Sequence, residues 1–357
     1  MADSPSIAVQ PGALMATAPA GTTVEQLNMA LAEYGLWLPV APLTPGLRLA
    51  DLVAHNAGGR RRLAHGSIGR YLRAADLGGG LELGGPTIKR ATGLGLHRAI
   101  VGGALDLGPP RELTFSLRPL PAARACLALR CADLGGACRL ADALLHRGLA
   151  LSALALAEDG GGAGVLLAEL EGLPAVVERL ALAAAAAARA EGATAECVDM
   201  AAWSRWETLA AAQFAAVYAV ELTLPRVAMP AFIAAARARA SYHGLAPTIW
   251  GDAGVGALYL RLDGPPAADG PRCLDELVGL ARAVGGDLST ELGRGTRARF
   301  SRTSGLVCDA KTSRSYHKPD LFDSLRAAVG PRYLLTRPDD PFRGRFFERA
   351  ARTCQDF

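Results

Sequence analysis

The chain has 357 residues, half of them hydrophobic and 20 % charged, with a formal net charge of +4. That length suits about two domains, and that apolar share can bury a large core, which excludes a disordered chain. So small a charge, with no clustered basic face, excludes a nucleic-acid partner. The longest apolar stretch, around Leu180–Ala188, is bounded by Arg179 and Arg189. It is too short for a bilayer span of ~20 residues, so no membrane span is expected. Met1–Pro11 lacks a basic start followed by an apolar run, so no signal segment is expected there. These features predict a cytoplasmic protein, or one peripheral at the inner face of the membrane.

In chain order, Ile7–Gln10 before Pro11-Gly12 reads as a strand and turn. Thr22 and Glu25 have capping-box spacing, and Val24, Leu27 and Leu31 share the face of the helix that follows. Gly35 ends that helix, and Leu36–Val40 reads as a short strand. From Ala54 to Gly108 the chain is rich in glycine, with short strands expected at Leu72–Leu77, Leu81–Leu83 and Leu113–Leu117. Arg60-Arg61-Arg62 in this stretch reads as a solvated loop rather than an anion site.

After Pro119 longer elements take over. Strands at Leu151–Leu156 and Val165–Leu170 flank a turn, and Pro174 opens a helix that Gly192 closes. The pattern repeats loosely: strand Val217–Leu224, helix Pro230–Ser241, strands Pro247–Trp250 and Gly256–Leu262, helix Leu274–Val284. A last helix is expected at Asp320–Val329. Strands interleaved with helices, one pair joined by a hairpin, predict an α+β fold with an antiparallel sheet. The seven cysteines show no C-x-x-C pair, so reduced, mostly buried thiols are expected, with no metal site.

Several segments carry a further pattern. Ala54-His-Asn-Ala-Gly-Gly59 and His65-Gly66-Ser67 are followed by Gly84-Gly85-Pro-Thr-Ile-Lys89, Val101-Gly102-Gly103-Ala-Leu-Asp-Leu107-Gly108 and Leu117-Arg-Pro119. In the second half come Trp250-Gly-Asp-Ala-Gly-Val-Gly256 and Gly285-Gly-Asp-Leu-Ser-Thr-Glu-Leu-Gly-Arg-Gly295. Together, in this order, they resemble the FAD-linked oxidase family, the group of glycolate oxidase and D-lactate dehydrogenase subunits. Glycine suits that chemistry, because main-chain N–H groups can approach a dinucleotide where no side chain intervenes.

The resemblance implies FAD as cofactor and hydride transfer from a small 2-hydroxy acid. It implies cofactor contacts at Asn56, Gly58, Gly59, Gly66, Ser67, Gly102, Gly103, Leu107 and Gly108, with Glu291 as the catalytic residue. It also implies partner subunits, including an iron–sulfur protein. The expected architecture is a partial FAD-binding domain of PCMH type over residues 1–121, an α+β substrate or cap domain over 122–300, and a segment over 301–357 that packs back on the first.

The departures from the family pattern are specific. The family's P-R-G-G-G-T-S phosphate loop has no counterpart before Gln10, and Asp51 stands where phosphates would be repelled. Pro109-Pro110 removes two N–H donors, and Leu292 stands where the family has a histidine. His243 and His317 read as surface or capping residues rather than replacement bases, and Arg297 and Arg299 as either carboxylate binders or exposed strand residues. These departures support a second reading, a catalytically inactive, flavin-poor structural subunit of a larger flavin and iron–sulfur oxidase.

Overall fold

The computed structural model describes residues 6–44, 46–85, 95–103, 108–265 and 269–289. The predicted helix at Asp320–Val329, Arg297, Arg299 and His317 lie outside the described residues.

The first lobe runs β1 (Ala8–Gln10), β2 (Met15–Pro19), α1 (Val24–Ala32), β3 (Leu36–Trp37), α2 (Leu49–His55), α3 (Arg62–His65), β4 (Leu72–Asp76), β5 (Glu82–Gly84), β6 (Glu112–Ser116) and β7 (Arg118–Pro119). Its main sheet has the order β1-β2-β6-β4-β5, and β3 pairs with β7 beside it. Helix α1 begins one residue later than the sequence suggested. Thr22 is held by strand-end bonds, its N–H to Pro19 O and its carbonyl to Leu49 N. Thr23 is therefore the cap: its Oγ1 accepts from Gln26 N at 3.2 Å and its own N–H donates to Gln26 Oε1 at 2.9 Å. The helix buries Val24, Leu27 and Leu31, as its spacing predicted. Asn28 imitates a strand partner by bonding both main-chain groups of Leu38, which ties α1 to the segment after β3.

Pro109 and Pro110 precede the ladder rather than interrupting it. Arg111 N reaches Asp76 O at 2.7 Å, and the β4–β6 pairing starts at Glu112.

The second lobe runs β8 (Ala123–Cys131), α4 (Leu134–His146), β9 (Ala153–Glu158), β10 (Gly164–Gly172), α5 (Pro174–Ala190), β11 (Thr194–Val198), α6 (Ser204–Ala215), β12 (Tyr218–Thr223), α7 (Met229–Tyr242), β13 (Ala246–Asp252), β14 (Ala257–Asp263), α8 (Gly270–Ala283) and β15 (Asp287–Leu288). One antiparallel sheet orders these strands β11-β8-β10-β9-β13-β14-β12-β15. It consists of two β-α-β-β-α-β units. The first is β8-α4-β9-β10-α5-β11, the second β12-α7-β13-β14-α8-β15, and they join where β9 pairs with β13.

Alternation along the strands gives the sheet two different faces. Leu154, Leu156, Leu166, Ala168, Leu170, Leu258 and Leu260 pack under α4, α5, α7 and α8. On the opposite face, Ala153, Ala155, Ala157, Val165, Leu167, Trp250 and Tyr259 meet Trp203, Trp206 and Leu43 of the first lobe. Among the described residues, no helix is long and apolar enough to cross a membrane.

Candidate cofactor site and the junction of the lobes

Helix α2 ends at Asn56, which takes a left-handed conformation (φ 50°) and returns its N–H to Leu52 and Val53 carbonyls. Asn56 Oδ1 then accepts from Gly69 N at 3.3 Å. A Cβ on Gly69 would lie 2.7 Å from that oxygen and 2.6 Å from Val101 Cγ1, so Asn56, Gly69 and Val101 are packed at contact distance. The segment continues through left-handed Gly102 and Gly103 (φ 72° and 67°), with Gly102 passing Asn56 and Gly103 passing Ala54 O. The structure thus brings Asn56, Gly102 and Gly103 together. Gly69 belongs with them, and its place in Ile68–Arg70, a short 3-10 turn, left no sequence pattern to mark it.

Gly58 and Gly59 lie on the other side of Asn56, where the chain crosses under the Ala41–Pro42 backbone. Arg60 N donates to Ala41 O at 2.9 Å, which fixes that crossing. Gly66 (φ 73°) and extended Ser67 follow α3 and lead into the 68–70 turn. Gly108 is left-handed (φ 88°), with open space where a Cβ would point. Leu107 and Glu291 lie outside the described residues. Asp51, expected to repel phosphate, accepts from Arg48 N at 3.3 Å at the start of α2.

The solvated-loop reading of Arg60-Arg61-Arg62 is wrong for the first two. Glu169, on β10 and fully buried, accepts from Arg61 Nε at 2.7 Å and from Arg60 Nε at 3.2 Å. Arg61 is itself only 5 % exposed. Arg60 also lies over the Trp203 ring at 4.7 Å, and Arg61 over Trp37 at 4.7 Å. Arg124 of β8 covers Trp37 at 4.2 Å. Burial lowers the Arg60 pKa from its ordinary value, and the Glu169 carboxylate opposes that effect. The distant carboxylate that recruits these arginines is more than a hundred residues away in sequence, so local pattern could not reveal it.

A second contact runs beside the first. His65 Nε2 pairs with Glu171, two residues along the same face of β10 from Glu169. Tyr71 Oη donates to His65 O at 2.9 Å, and the His65 ring meets Trp37 edge-on. Burial pushes the Glu171 carboxyl up, but the bond from His65 and nearby charge outweigh it, so its pKa is lowered. A depressed carboxylate contributes stability above its unfolded pKa, and that contribution is lost as pH falls through the folded value. The stability difference between wild type and Glu171→Gln is therefore expected to be full at neutral pH and to shrink below about pH 4. Urea unfolding at a series of pH values checks this, and a difference that grows on acidification would contradict it.

Between the lobes, Pro42, Leu43, Gly59 and Arg60 face Ala155, Gly251, Asp252 and Tyr259 across a cleft of about 20 Å³. That space accommodates roughly one water molecule. Asp252 and Tyr259 lie in or beside the Trp250–Gly256 segment that the sequence singled out, though not as site residues. His243 caps α7 as expected, but its ring is buried against Glu276 at 3.1 Å rather than exposed. Among the described cysteines, burial pushes Cys126 and Cys138 up to about 12 and Cys273 to about 11, so these are inert thiols. Cys197 is the exposed exception to the expected burial.

Comparison with known proteins agrees with this geometry. Residues 4–77 match the FAD binding domain family. A D-lactate dehydrogenase of Archaeoglobus fulgidus is 32 % identical over 104 residues, which is 28 % of this chain and 24 % of that protein. Two crystal forms of alkyldihydroxyacetonephosphate synthase superpose with TM-scores of 0.65 and 0.66 at 13 % and 12 % identity. They cover 79 % and 80 % of this chain, which in turn spans 61 % and 63 % of theirs. The chain thus spans about a quarter of the curated relative and under two thirds of the solved structures.

The fold is that of the PCMH-type flavoproteins, an FAD-binding lobe joined to an α+β lobe built on an antiparallel sheet. Residues 4–77 mark the first lobe as an FAD binding domain, and FAD is the cofactor that this match supports. The residues present leave room for the group: at Gly102 and Gly103 the nearest atoms to an added Cβ are Asn56 Cβ at 3.9 Å and Ala54 O at 3.6 Å, and the glycines themselves add no side chain.

Proposed function

We propose that this chain is the FAD-binding subunit of an oxidoreductase that takes electrons from a small 2-hydroxy acid of the glycolate or lactate type. The observation that carries the proposal is the main-chain strip Asn56–Gly102–Gly103, formed by a domain whose first part matches the FAD binding family. The substrate class draws on the relative that acts on D-lactate. Bound flavin supplies the two-electron acceptor, while the protein supplies binding, orientation and exclusion of water. Asn56 holds the strip in shape through Gly69, and the arginine pairs keep the second lobe seated over it.

The test is the visible spectrum of the purified protein after incubation with FAD and removal of the excess, followed by dye reduction with glycolate and D-lactate. Flavin near one equivalent per chain and reduction by either acid are the expected results. A protein that stays colourless in excess FAD would overturn the flavin assignment.

A second reading rests on the departures from the family pattern, Leu292 in place of a histidine among them. In that reading the chain is a non-catalytic subunit that docks against a catalytic flavoprotein and an iron–sulfur partner. It predicts bound flavin or none, no dye reduction by the isolated chain, and co-purification with both partners.

A further inference from the structure

We infer that Glu169 is a positioning residue for the cofactor loop, acting from the second lobe on residues 58–67 of the first. Along β10, Leu166, Ala168 and Leu170 point into the helix-covered core, which sends Val165, Leu167 and Glu169 to the face that meets the first lobe. Glu169 is thus a carboxylate at full burial in the middle of a sheet, opposite Cys126 on one side and Ala153 on the other. No charge is kept there without partners. Both of its partners are consecutive residues of one loop, Arg60 and Arg61, directly after the Gly58-Gly59 crossing.

The two guanidiniums diverge from that common anchor. Arg60 runs to the Trp203 ring in the second lobe and Arg61 to Trp37 in the first. One carboxylate therefore fixes the direction of two adjacent side chains. The Arg60 N–H, held by Ala41 O, anchors the main chain between Asn56 and α3 at its middle. Helix α3 then places His65 against Glu171, so the loop is fastened to the same strand at both ends. The cofactor strip begins at Asn56, next to this loop, and Gly69 closes it on the far side. The inference for the cofactor rests on the flavin reading above; the inference for the loop does not.

Glu169→Gln keeps the shape and removes the charge, and Arg61→Lys keeps the charge while losing the Nε bond. Leu140→Ala, in the helix-covered core, is the control for general destabilisation. Two readouts apply under conditions where every variant is folded. The first is tryptic cleavage after Arg60, Arg61 and Arg62, which needs no flavin. The second is the FAD dissociation constant by fluorescence quenching. Glu169→Gln is expected to raise both the loop cleavage rate and the FAD dissociation constant by about tenfold, with Arg61→Lys changing them less and in the same direction. Leu140→Ala is expected to lower the melting temperature and to leave both readouts at wild-type values.

Wild-type cleavage in Glu169→Gln would overturn the clamp. Faster cleavage with unchanged FAD affinity would overturn its role for the cofactor. If the wild type takes no FAD, the flavin reading fails, and the cleavage pattern alone decides whether Glu169 holds the loop.

Discussion

Gly59→Ala is expected to cost at least ~3 kcal/mol of stability and to abolish FAD binding, because the chain crossing at this point has no space for a side chain. An added Cβ would lie 2.0 Å from Ala41 O, 2.3 Å from its carbonyl carbon and 2.7 Å from Pro42 N. All three are backbone atoms, so no rotamer change relieves the overlap. The residue is also left-handed, at φ 66°, which by itself costs a non-glycine residue about 1 kcal/mol. The loop would have to lift away from Ala41, breaking the Arg60 N–H bond and pulling both arginines off Glu169.

Gly35→Ala separates the two contributions. Gly35 is left-handed (φ 63°) but has nothing within 4 Å of an added Cβ. It should lose only the conformational share, about 1 kcal/mol. Denaturant unfolding of both variants, with flavin content measured alongside, tests the argument. Equal losses at the two positions would mean that the crossing relaxes and that the contact with Ala41 is not what requires glycine.

How much of this was legible in the sequence follows from the range of each interaction. Helix α1 was readable because its cap, its apolar face and its terminal glycine all lie close together in sequence, and even the cap was misplaced by one because main-chain bonds to Pro19 and Leu49 hold Thr22. Helix α4 was missed. It opens with Leu134-Gly135-Gly136, which reads as a turn, and only Asp133 accepting from Gly136 N at 2.6 Å converts it into a helix start. The loose repeat in the second half was visible as order and spacing, and the two β-α-β-β-α-β units account for it. Their junction at β9 and β13 was not visible, since pairing across the middle of a sheet leaves no local signal.

The site divides the same way. Glycines at 58, 59, 66, 102 and 103 were picked out by the family resemblance of short local motifs, and 59, 66, 102 and 103 take the left-handed backbone that favours glycine. Arg60 and Arg61 were misread because a run of arginines is ordinarily solvated, and what buries these two is a glutamate far along the chain. Glu169 and Glu171 sit in a strand that looked like ordinary core, and nothing short of the β10 alternation marks them as facing the other lobe.

The largest loss in the arginine cluster is expected from Trp37→Ala. Trp37 is 3 % exposed, with the Arg61 guanidinium 4.7 Å from its ring on one contact and Arg124 at 4.2 Å on another. The His65 ring approaches it edge-on at 5.7 Å. Removing a buried indole costs ~3–5 kcal/mol from lost apolar contact and the cavity left behind. Each cation over the ring adds ~0.5–1 kcal/mol, more where water is excluded. Trp37→Phe keeps an aromatic face of smaller area and should lose roughly half as much, so the order wild type, Trp37→Phe, Trp37→Ala is fixed by ring size. The coupling is the sharper test. Arg61 uses Trp37 as support while its Nε holds Glu169, so Trp37→Ala and Glu169→Gln remove two ends of one arrangement. Their combined cost in a double-mutant cycle should fall short of the sum by ~1 kcal/mol or more. Strict additivity would mean that the ring packs independently of the ion pair, and that Arg61 is oriented by Glu169 alone.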